Sequence, residues 1–532
     1  ALPLIAVLNI AGSRISQVVW VELCDLCLID CIDELSALSQ GSRGLDHHER
    51  ADFADRMEML RNEGNPLYRG VQVVMNLISL GAQFALTVFL LGRLQPVLLL
   101  LLALGIVPLL TDRWAWNRIN AAYVATAPSS RLSAHLLGLA TSPRAAKEIR
   151  VFGLEAELRR RLAESHHNQE APLARAQRAA MLVSAAGQAV FALGYIGGLL
   201  LVVRGAIAGH HSVGDVVLAV TLAAQVNGLV FQAAGVLQFV QLSAKAYGRL
   251  AWLRALVNDL YPRRPTIRAV PPSLEDGIRL ERVGFRYPGT NTEVISDIDL
   301  HLPAGTTVAF VGENGAGKST LVKLLCRFYD PTEGRITVDG VDLGEFDPAD
   351  WRERIAAGFQ DFVRFGFLAR ESVGVGDIAA IDDEHAVLAA LERADARDLV
   401  AGLPGGLETQ LGSEGGDGVE LSGGQWQKIA LGRAMMRTKP LLLILDEPTS
   451  ALDAHAEHIL FERYVASARA VARATGGIAI FVSHRFSTVR MADQIVVVDG
   501  GSIVEHGAHH ELIANGRLYA DLYNLQAAAY AP

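Results

Sequence analysis

Residues Gly312 to Thr320 read GENGAGKST and give the clearest indication of the fold. This stretch follows the apolar run TTVAFV, which is typical of a buried strand, and precedes LVKLLCRF, which is typical of a helix. The spacing G-x-x-x-x-G-K-[ST] between a strand and a helix is that of a phosphate-binding loop. Backbone amides of such a loop point at phosphate oxygens, and the helix N-terminus favours an anion. The sequence therefore predicts an α/β domain that binds a nucleotide phosphate.

Each residue type in this loop suits contact with a nucleoside triphosphate. The three glycines allow a tight turn, Lys318 is long enough to reach the β and γ phosphates, and the Ser319 hydroxyl suits Mg²⁺. We therefore expect ATP and Mg²⁺ as ligands. The loop residues expected to contact them are Gly312, Asn314, Gly315, Ala316, Gly317, Lys318, Ser319 and Thr320.

A second apolar strand, LLLILDEP, ends in two adjacent carboxylates, Asp446 and Glu447. We expect Asp446 to hold Mg²⁺ through a water molecule and Glu447 to orient or deprotonate the attacking water. Alone, an Asp-Glu pair at a strand end is usually a solvated turn. Its combination with the phosphate-binding loop favours a catalytic role and predicts ATP hydrolysis.

Between these two strands lies the pentapeptide LSGGQ, Leu421 to Gln425. It resembles the signature of ABC ATPases, which other phosphate-loop enzymes lack. A helix that begins there would direct its N-terminal amides and the Ser422 hydroxyl at a γ-phosphate. The resemblance therefore implies that Ser422, Gly423, Gly424 and Gln425 contact ATP.

The resemblance to ABC ATPases covers four further residues. It implies that Tyr287, in FRYPG, stacks on adenine, and that Gln360, in GFQD, contacts Mg²⁺ and senses the membrane domain. It also implies that Asp453, in SALD, crosses to a partner subunit and that His484, in FVSHR, contacts the γ-phosphate as a catalytic residue. Taken singly, the tyrosine would be a core strand residue and the histidine a structural one.

In this family the signature of one subunit closes on the ATP held by the phosphate loop of another. One loop and one signature in this chain therefore imply a homodimer, or a heterodimer with a second ABC half-transporter. Because both Glu447 and His484 are present, a homodimer would have two competent sites.

Composition indicates a membrane domain in the first half. The chain is 51% apolar with a mean hydropathy of +0.26, and four apolar runs without an ionisable residue are long enough to cross a bilayer. Buried helices of a soluble domain are the alternative interpretation of such runs. The predicted spans are Val71 to Leu91, Leu94 to Thr111, Ala179 to Val203 and Val216 to Ala244.

The distribution of Lys and Arg residues predicts which side of the membrane each loop faces. The loop from Asp112 to Arg178 carries eleven Lys and Arg residues, whereas the links 92–93 and 204–211 carry one each. The positive-inside rule therefore places residues 112–178 in the cytoplasm. Residues 13–70 and everything after Lys245 then face the same side, so we expect a multi-pass protein of the plasma membrane, the inner membrane of a bacterium, with a cytoplasmic ATP-binding domain.

The predicted fold class is an N-terminal all-α transmembrane domain followed by a C-terminal α/β ABC ATPase domain of the phosphate-loop type. We predict the membrane domain over residues 1–260, with cytoplasmic loops at 13–70 and 112–178. A proline-rich linker, 261–277, leads to the ATP-binding domain at 278–532.

The membrane half resembles that of ABC exporters. The resemblance implies coupling helices near Asp46 to Arg61 and near Phe152 to Glu157, the second within AAKEIRVFGLEAE. The family has six spans, so we expect the opening ALPLIAVLNIAG to be the cytoplasmic end of a helix whose beginning is absent. Two departures are the stretch LGSEGGDGVE, where Glu414 would fill an acidic position, and Trp426 directly after the signature.

Several other residues have competing interpretations. Cys24, Cys27 and Cys31 share one helical face, where packing is favoured over metal binding with His47 or His48. Gly194 and Gly198 are typical of close helix packing. Polar residues in the spans either line a substrate path or bond between helices; they are Asn76, Gln83, Gln188, Gln225, Asn227, Gln232 and Gln238.

The resulting functional hypothesis is an ATP-hydrolysing exporter of a small molecule, lipid or peptide, with membrane lipid around it. A net charge of −9 and a pI near 5.9 argue against a nucleic-acid partner. An importer on the same fold and a membrane-anchored regulatory ATPase are the alternatives. An ABC ATPase of translation or DNA repair conflicts with the four apolar runs.

Overall fold

The computed structural model describes the chain in segments that together cover most of the sequence. They are residues 2–40, 44–50, 52–53, 56–57, 60, 70–94, 96–143, 145–208, 212–260, 268–412, 418–447, 454–483 and 489–529. The chain forms two compact units, one of Ala1–Leu35 with Glu58–Trp252 and one of Ser36–Met57 with Leu253–Pro532. The domain boundaries predicted at residues 260 and 278 stay predictions, since 261–267 lie outside the described residues.

The described part of the N-terminal half is mainly helical. After α2 a short 3₁₀ helix covers Pro96–Leu99. The α-helices are α1 (Leu2–Gln40), α2 (Gly70–Leu94), α3 (Leu100–Leu104), α4 (Ile106–Thr141), α5 (Ala146–Val151), α6 (Glu155–Ile207) and α7 (Val213–Leu260).

Four helical stretches among the described residues are long and apolar enough to cross a membrane. They are Val73–Arg93, Pro96–Thr141, Glu155–Ile207 and Val213–Leu260. Three of the predicted spans fall within α2, α6 and α7. The second, Leu94 to Thr111, overlaps the stretch Pro96–Thr141, whose backbone stays helical at Gly105, with a φ of −62° and a ψ of −18°.

Close contacts join α3 and α4 to α6. A Cβ atom on Gly187 would lie 2.3 Å from Thr111 Oγ1, and one on Gly194 would lie 2.2 Å from Leu104 Cδ1. Gly198 faces Leu98 in the same way, at 3.1 Å. The packing interpretation of Gly194 and Gly198 is therefore confirmed, because a side chain at either position would crowd these leucines.

The three cysteines of α1 differ in their burial. Cys24 is buried, Cys27 and Cys31 are half-buried, and the described residues contain no group of three His, Cys, Asp or Glu side chains that could hold a metal. Both His47 and His48 instead contact the Ser39 carbonyl, at 2.9 and 3.1 Å.

Among the polar residues of the spans, Gln83 donates to Ser79 Oγ at 3.0 Å within its own helix. The buried Gln188 Nε2 has no partner among the described groups. Gln238 lines a cavity between two helices, so it alone of these three is placed to meet a ligand.

The second unit carries two sheets. A four-stranded antiparallel sheet has the order β2-β1-β4-β5, and a six-stranded sheet has the order β10-β9-β3-β8-β7-β6, parallel except for β10. The strands are β1 (Gly277–Arg286), β2 (Glu293–Pro303), β3 (Thr307–Val311), β4 (Glu333–Val338), β5 (Val341–Asp342), β6 (Ile355–Gly358), β7 (Leu442–Asp446), β8 (Ile478–Val482), β9 (Gln494–Asp499) and β10 (Ser502–Gly507).

Helices cover both sheets. One hydrophobic core lies between the two sheets around α8, and a second lies where α10 to α13 meet β7 and β8. Short 3₁₀ helices lie at Leu343–Glu345, Ile378–Ala380 and Gly406–Glu408. The α-helices are α8 (Lys318–Leu325), α9 (Pro348–Glu353), α10 (Ala369–Gly374), α11 (Glu384–Arg393), α12 (Arg397–Ala401), α13 (Gly423–Ala434), α14 (Ala454–Thr475), α15 (His509–Asn515) and α16 (Leu518–Ala529).

Part of the first predicted coupling segment packs in this second unit. The Leu45 amide donates to the Phe328 carbonyl at 3.1 Å, and the Tyr329 hydroxyl donates to Glu49 Oε1. Burial raises the pKa of Tyr329, and the bond to Glu49 acts in the same direction. The described residues near 44–50 are therefore anchored beside α8. Residues 51, 54, 55, 58, 59 and 61 of the predicted segment lie outside the described part.

The second predicted coupling segment forms a small apolar projection in the first unit. The helix α5 ends at Val151, and the chain turns through Gly153 at a φ of 63° before α6 begins. Val151 is 79% exposed and Phe152 is 67% exposed. Two large apolar side chains thus face solvent at one turn.

Candidate nucleotide site

The phosphate-binding loop lies where β3 ends and α8 begins, as the sequence predicts. Gly312, Gly315 and Gly317 all have φ in the left-handed region, at 149°, 84° and 108°. A Cβ on Gly312 would lie 2.0 Å from the Val498 carbonyl oxygen, so any other residue would displace the loop. The loop glycines therefore set its backbone conformation, and the close approach of Val498 from β9 requires glycine at position 312.

The Lys318 ammonium lies within the loop. It donates to the carbonyls of Gly312 and Glu313 at 2.8 and 2.7 Å. Burial lowers the pKa of Lys318, whereas the charges of Glu447 and Asp446 raise it. An ammonium whose hydrogen bonds within the described residues go to neutral carbonyls retains its attraction for an incoming phosphate.

Two of the predicted Mg²⁺ ligands, Ser319 and Asp446, lie next to each other at the loop. Asp446, at the end of β7, is buried and accepts a hydrogen bond from Ser319. Burial raises the pKa of Asp446 to about 6, with Glu447 and Asp361 acting in the same direction, while Lys318 and Ser319 lower it. A carboxylate and a hydroxyl are ligands that Mg²⁺ accepts, so this donor set fits the ion.

Glu447 follows Asp446 in a strained backbone conformation with a φ of 46°. Its amide donates to the Val482 carbonyl at 2.9 Å, and its Oε2 accepts from Gln360 Nε2 at 2.8 Å. The structure therefore brings together Gln360 and the two carboxylates, which the sequence assigned separately to metal binding and catalysis.

Tyr287 lies on the other side of the loop, in a partly buried aromatic cluster. Its ring packs edge-on against Phe285 and Tyr329, and its hydroxyl shares a 3.0 Å hydrogen bond with Thr320 Oγ1. Lys323 Nζ lies 5.1 Å from the ring centroid. The ring is thus fixed next to the start of α8, and its contact with adenine stays a prediction.

The LSGGQ segment begins α13 with a capping box. Ser422 Oγ accepts from the Gln425 amide at 3.3 Å, and Gln425 Oε1 accepts from the Ser422 amide at 2.8 Å. Ser422 and Gly423 are exposed, whereas Trp426 is buried and donates to Glu420 at 3.4 Å. The tryptophan that departs from the family pattern is therefore a core residue beneath the exposed signature.

Two residues of α13 contact the site region without having been predicted. Gln427 Nε2 donates to the Glu447 carbonyl at 3.2 Å. Arg433 donates to the carbonyls of Val363 and Ser372, at 3.2 and 3.0 Å, with its guanidinium 4.4 Å from the Phe365 ring centroid. The spacing of Gln427 and Arg433 after LSGGQ places both on α13, but their partners are distant in sequence.

Three predicted residues lie outside the described part of the chain. They are Asp453, His484 and Glu414. Their roles stay predictions, as do the roles of the described nucleotide contacts.

The phosphate loop, the carboxylate strand and the signature helix are together similar to the ATP-binding domain of ABC transporters. Residues 295–450 match the family described as ABC transporter. This domain binds ATP, and the chain has the fold of an ABC exporter, with a helical membrane domain fused to the ATP-binding domain, as the sequence predicts. It is a multi-pass membrane protein with the ATP-binding domain on the cytoplasmic side.

Proteins with similar sequences are described as transporters. A putative multidrug export ATP-binding/permease protein of Staphylococcus aureus is 39% identical over 272 residues, which is 51% of this chain and 45% of that protein. An ATP-dependent lipid A-core flippase of Chromohalobacter salexigens is 36% identical over 380 residues, 71% of this chain and 62% of the flippase. The chain thus spans about half the length of the first relatives that it matches.

A solved structure supports the fold. It is a bacterial Atm1-family ABC exporter with ATP bound, which superposes with a TM-score of 0.78 at 23% identity. The superposition covers 97% of this chain and 89% of that one. At 23% sequence identity, this similarity shows a shared fold and nothing about function.

Proposed function

We propose that this chain is an ATP-hydrolysing half-transporter that acts as a dimer and exports a small molecule, lipid or peptide. The observation that carries the proposal is the hydrogen bond from Gln360 to Glu447, directly after the buried Asp446 and beside the phosphate loop. It gives a carboxylate a fixed orientation at the place where a γ-phosphate would lie.

In the proposed reaction, Lys318 and the loop amides hold the phosphates of ATP. Glu447 accepts a proton from a water molecule whose oxygen bonds to the γ-phosphorus, while the bond from that phosphorus to the β,γ-bridging oxygen breaks. ADP and inorganic phosphate leave. When bound, Mg²⁺ held by Ser319, Asp446 and Gln360 would neutralise charge on the phosphate oxygens.

Two exposed surfaces among the described residues support the dimer. Ser422 and Gly423 are exposed at the start of α13, where a partner's γ-phosphate would complete their environment. The exposed Val151 and Phe152 would dock on the ATP-binding domain of a second subunit and carry its closure to the membrane helices. The unfavourable exposure of large apolar groups supports such a partner.

Export is the direction that the relatives' names favour, since one is described for multidrug export and another as a flippase. ATP binding would draw two subunits together, and hydrolysis would separate them, which shifts the membrane helices between two arrangements. An importer on this fold would use the same ATP chemistry to move its cargo in the opposite direction.

The test is ATP hydrolysis by the chain in lipid nanodiscs, with Glu447→Gln beside the wild type. We expect Glu447→Gln to lower kcat by about 100-fold or more while ATP still binds, because the loop contacts survive and the base is lost. Glu353→Gln changes an exposed carboxylate of α9 outside the site and is the matched control. Wild-type turnover in Glu447→Gln would overturn the catalytic assignment.

A second measurement separates transport from regulation. Proteoliposomes with outward-facing ATP-binding domains should accumulate cargo in the lumen if the chain exports. Release of preloaded cargo would indicate an importer. ATP hydrolysis that no drug, lipid or peptide alters, with no movement of cargo, would favour the regulatory alternative.

A further inference from the structure

Glu447 is held through its main chain as well as through its carboxylate. Its amide donates to the Val482 carbonyl of β8 at 2.9 Å, and its carbonyl accepts from Gln427 Nε2 of α13 at 3.2 Å. The hydrogen bond from Gln360 reaches the carboxylate separately. A strand and a helix therefore fix the peptide groups on either side of the proposed general base.

The backbone of Glu447 needs such support. Its φ of 46° lies in the left-handed region, which is strained for a residue with a side chain. The next residue in the sequence is Pro448, and the ring of a proline restricts the residue before it to extended conformations. A conformation that both local effects disfavour is kept by contacts from the surrounding fold. The bond from Gln427 to the carbonyl of Glu447 is one of these contacts.

Gln427 is placed to act on Glu447 because it is buried and belongs to an anchored helix. Its exposed fraction is 8%, so water cannot readily replace its hydrogen bonds. Trp426 is buried in the same turn of α13, and Lys428 Nζ donates to Asp395 Oδ2 at 2.9 Å. These neighbours hold the signature helix as one rigid element.

The same helix begins at the exposed signature. Ser422 is the N-cap of α13, and Gln427 lies about 7.5 Å further along the helix axis. In the proposed dimer, Ser422 contacts the ATP held by the partner subunit, whereas Glu447 acts on the ATP held by its own phosphate loop. The first turns of α13 therefore lie between the two ATP sites.

We propose that Gln427 is a positioning residue that couples the two ATP sites of the dimer. When the partner's ATP engages Ser422, it fixes the start of α13, and Gln427 then fixes the peptide group that follows Glu447. The base is thereby oriented for the reaction at its own site. This role rests on the proposed function, because it requires ATP hydrolysis by a dimer.

The test is steady-state hydrolysis by the full chain in lipid nanodiscs as the ATP concentration is varied. The wild type should show a Hill coefficient above 1, because ATP at one site favours turnover at the other. Gln427→Met fills similar space without a donor. It should lower kcat about tenfold, change the half-saturating ATP concentration less than about twofold, and bring the Hill coefficient to about 1.

Lys428→Met is the matched control on the same helix. It also removes a side-chain donor from α13, but the acceptor is Asp395 rather than Glu447. We expect a lower unfolding temperature with the kcat and Hill coefficient of the wild type. Gln427→Leu is a second variant that lacks the donor, and thermal unfolding checks that both Gln427 variants are folded. Wild-type kcat in a folded Gln427 variant overturns the proposal.

A double-mutant cycle separates coupling from a merely structural role. Ser422→Ala removes the hydroxyl proposed to meet the partner's γ-phosphate and should lower kcat by itself. If Gln427 carries the effect of that contact to Glu447, the double variant with Gln427→Met loses less than the product of the two single losses. If the two losses multiply to within about twofold, the residues act independently and the coupling is refuted.

The outcomes also separate this proposal from the proposed function. Wild-type turnover that Glu447→Gln abolishes, together with wild-type kinetics in Gln427→Met, upholds ATP hydrolysis and refutes the coupling. A Hill coefficient of 1 in the wild type likewise refutes the coupling and leaves hydrolysis in place. Undiminished turnover in Glu447→Gln refutes the general base, and the role of Gln427 fails with it.

Discussion

Gln360 Nε2 donates to Glu447 Oε2 over 2.8 Å, although the two residues are 87 positions apart in the chain. The bond joins the end of β6 to the end of β7, two neighbouring parallel strands. It gives the proposed general base one orientation and connects it to the segment that leads into the helical part of the ATP-binding domain.

Gln360→Ala should lower kcat for ATP hydrolysis by about tenfold, because a carboxylate that loses one hydrogen bond of this kind loses its fixed orientation. Gln360→Glu should lower it further, since a second carboxylate would repel Glu447. Steady-state hydrolysis at saturating ATP measures both. Gln410→Ala removes a half-buried amide that donates to the carbonyls of Gly366 and Leu411 away from Glu447, and serves as the control. An unchanged kcat in Gln360→Ala would show that the bond has no catalytic role.

Arg433 should stabilise the connection between the signature helix and the segment after Gln360. Burial lowers the pKa of Arg433 to about 10, yet its guanidinium binds two carbonyls and the Phe365 ring. Arg433→Met should lower the free energy of unfolding by about 1–3 kcal/mol, because the carbonyls of Val363 and Ser372 lose their donor. Thermal unfolding monitors this loss. Arg433→Lys should recover only part of it, since an ammonium lacks the planar fork.

Asp395 connects α13 to α14. It has a φ of 54°, its Oδ2 accepts from Lys428 at 2.9 Å, and its Oδ1 accepts from Arg463 at 2.6 Å. Asp395→Ala should destabilise the chain by about 1 kcal/mol, a modest loss because these ion pairs are partly exposed. The difference from wild type should shrink in high salt. Denaturant titrations at two KCl concentrations test this, and a salt-independent difference would contradict the ionic explanation.

The bond from Tyr329 to Glu49 should produce a stability change at high pH. The pKa of Tyr329 is raised above its ordinary value of 10.0 in the folded chain. Above pH 10 the unfolded tyrosine loses its proton while the folded one keeps it, so stability falls as pH rises. Tyr329→Phe should unfold more easily at neutral pH and show a weaker further decline above pH 10. Parallel pH series of unfolding temperature for the two proteins give the comparison; identical slopes would exclude this linkage.

Gly194 should be intolerant of a side chain, and Gly197 should not. A Cβ on Gly194 meets Leu104 Cδ1 at 2.2 Å, whereas nothing lies within 4 Å of one on Gly197. Gly194→Val should therefore lower the unfolding temperature in nanodiscs by several degrees, roughly what 1–3 kcal/mol of overpacking costs. Gly197→Val is the matched control on the same helix. Equal unfolding temperatures for the two variants would contradict the packing at Gly194.

The sequence by itself determined the features whose physics is local. The glycines of the phosphate loop specify left-handed backbone, the apolar strand that ends in Asp446 places a carboxylate at a sheet edge, and Ser422 with Gln425 forms a capping box three residues apart. Runs of apolar residues likewise determine membrane helices, because a bilayer requires that length and composition of any chain. These features depend on neighbours within a few residues, so the fold class and the nucleotide loop could be predicted.

Tertiary structure alone decided which distant groups meet. The partners of Gln360, Gln427 and Arg433 come from other strands and loops, and residues near Glu49 join the second unit. Such contacts depend on strand order, helix crossing and the space that glycines such as Gly194 leave between helices. These contacts arise from packing between segments far apart in the chain, which no short stretch of sequence encodes.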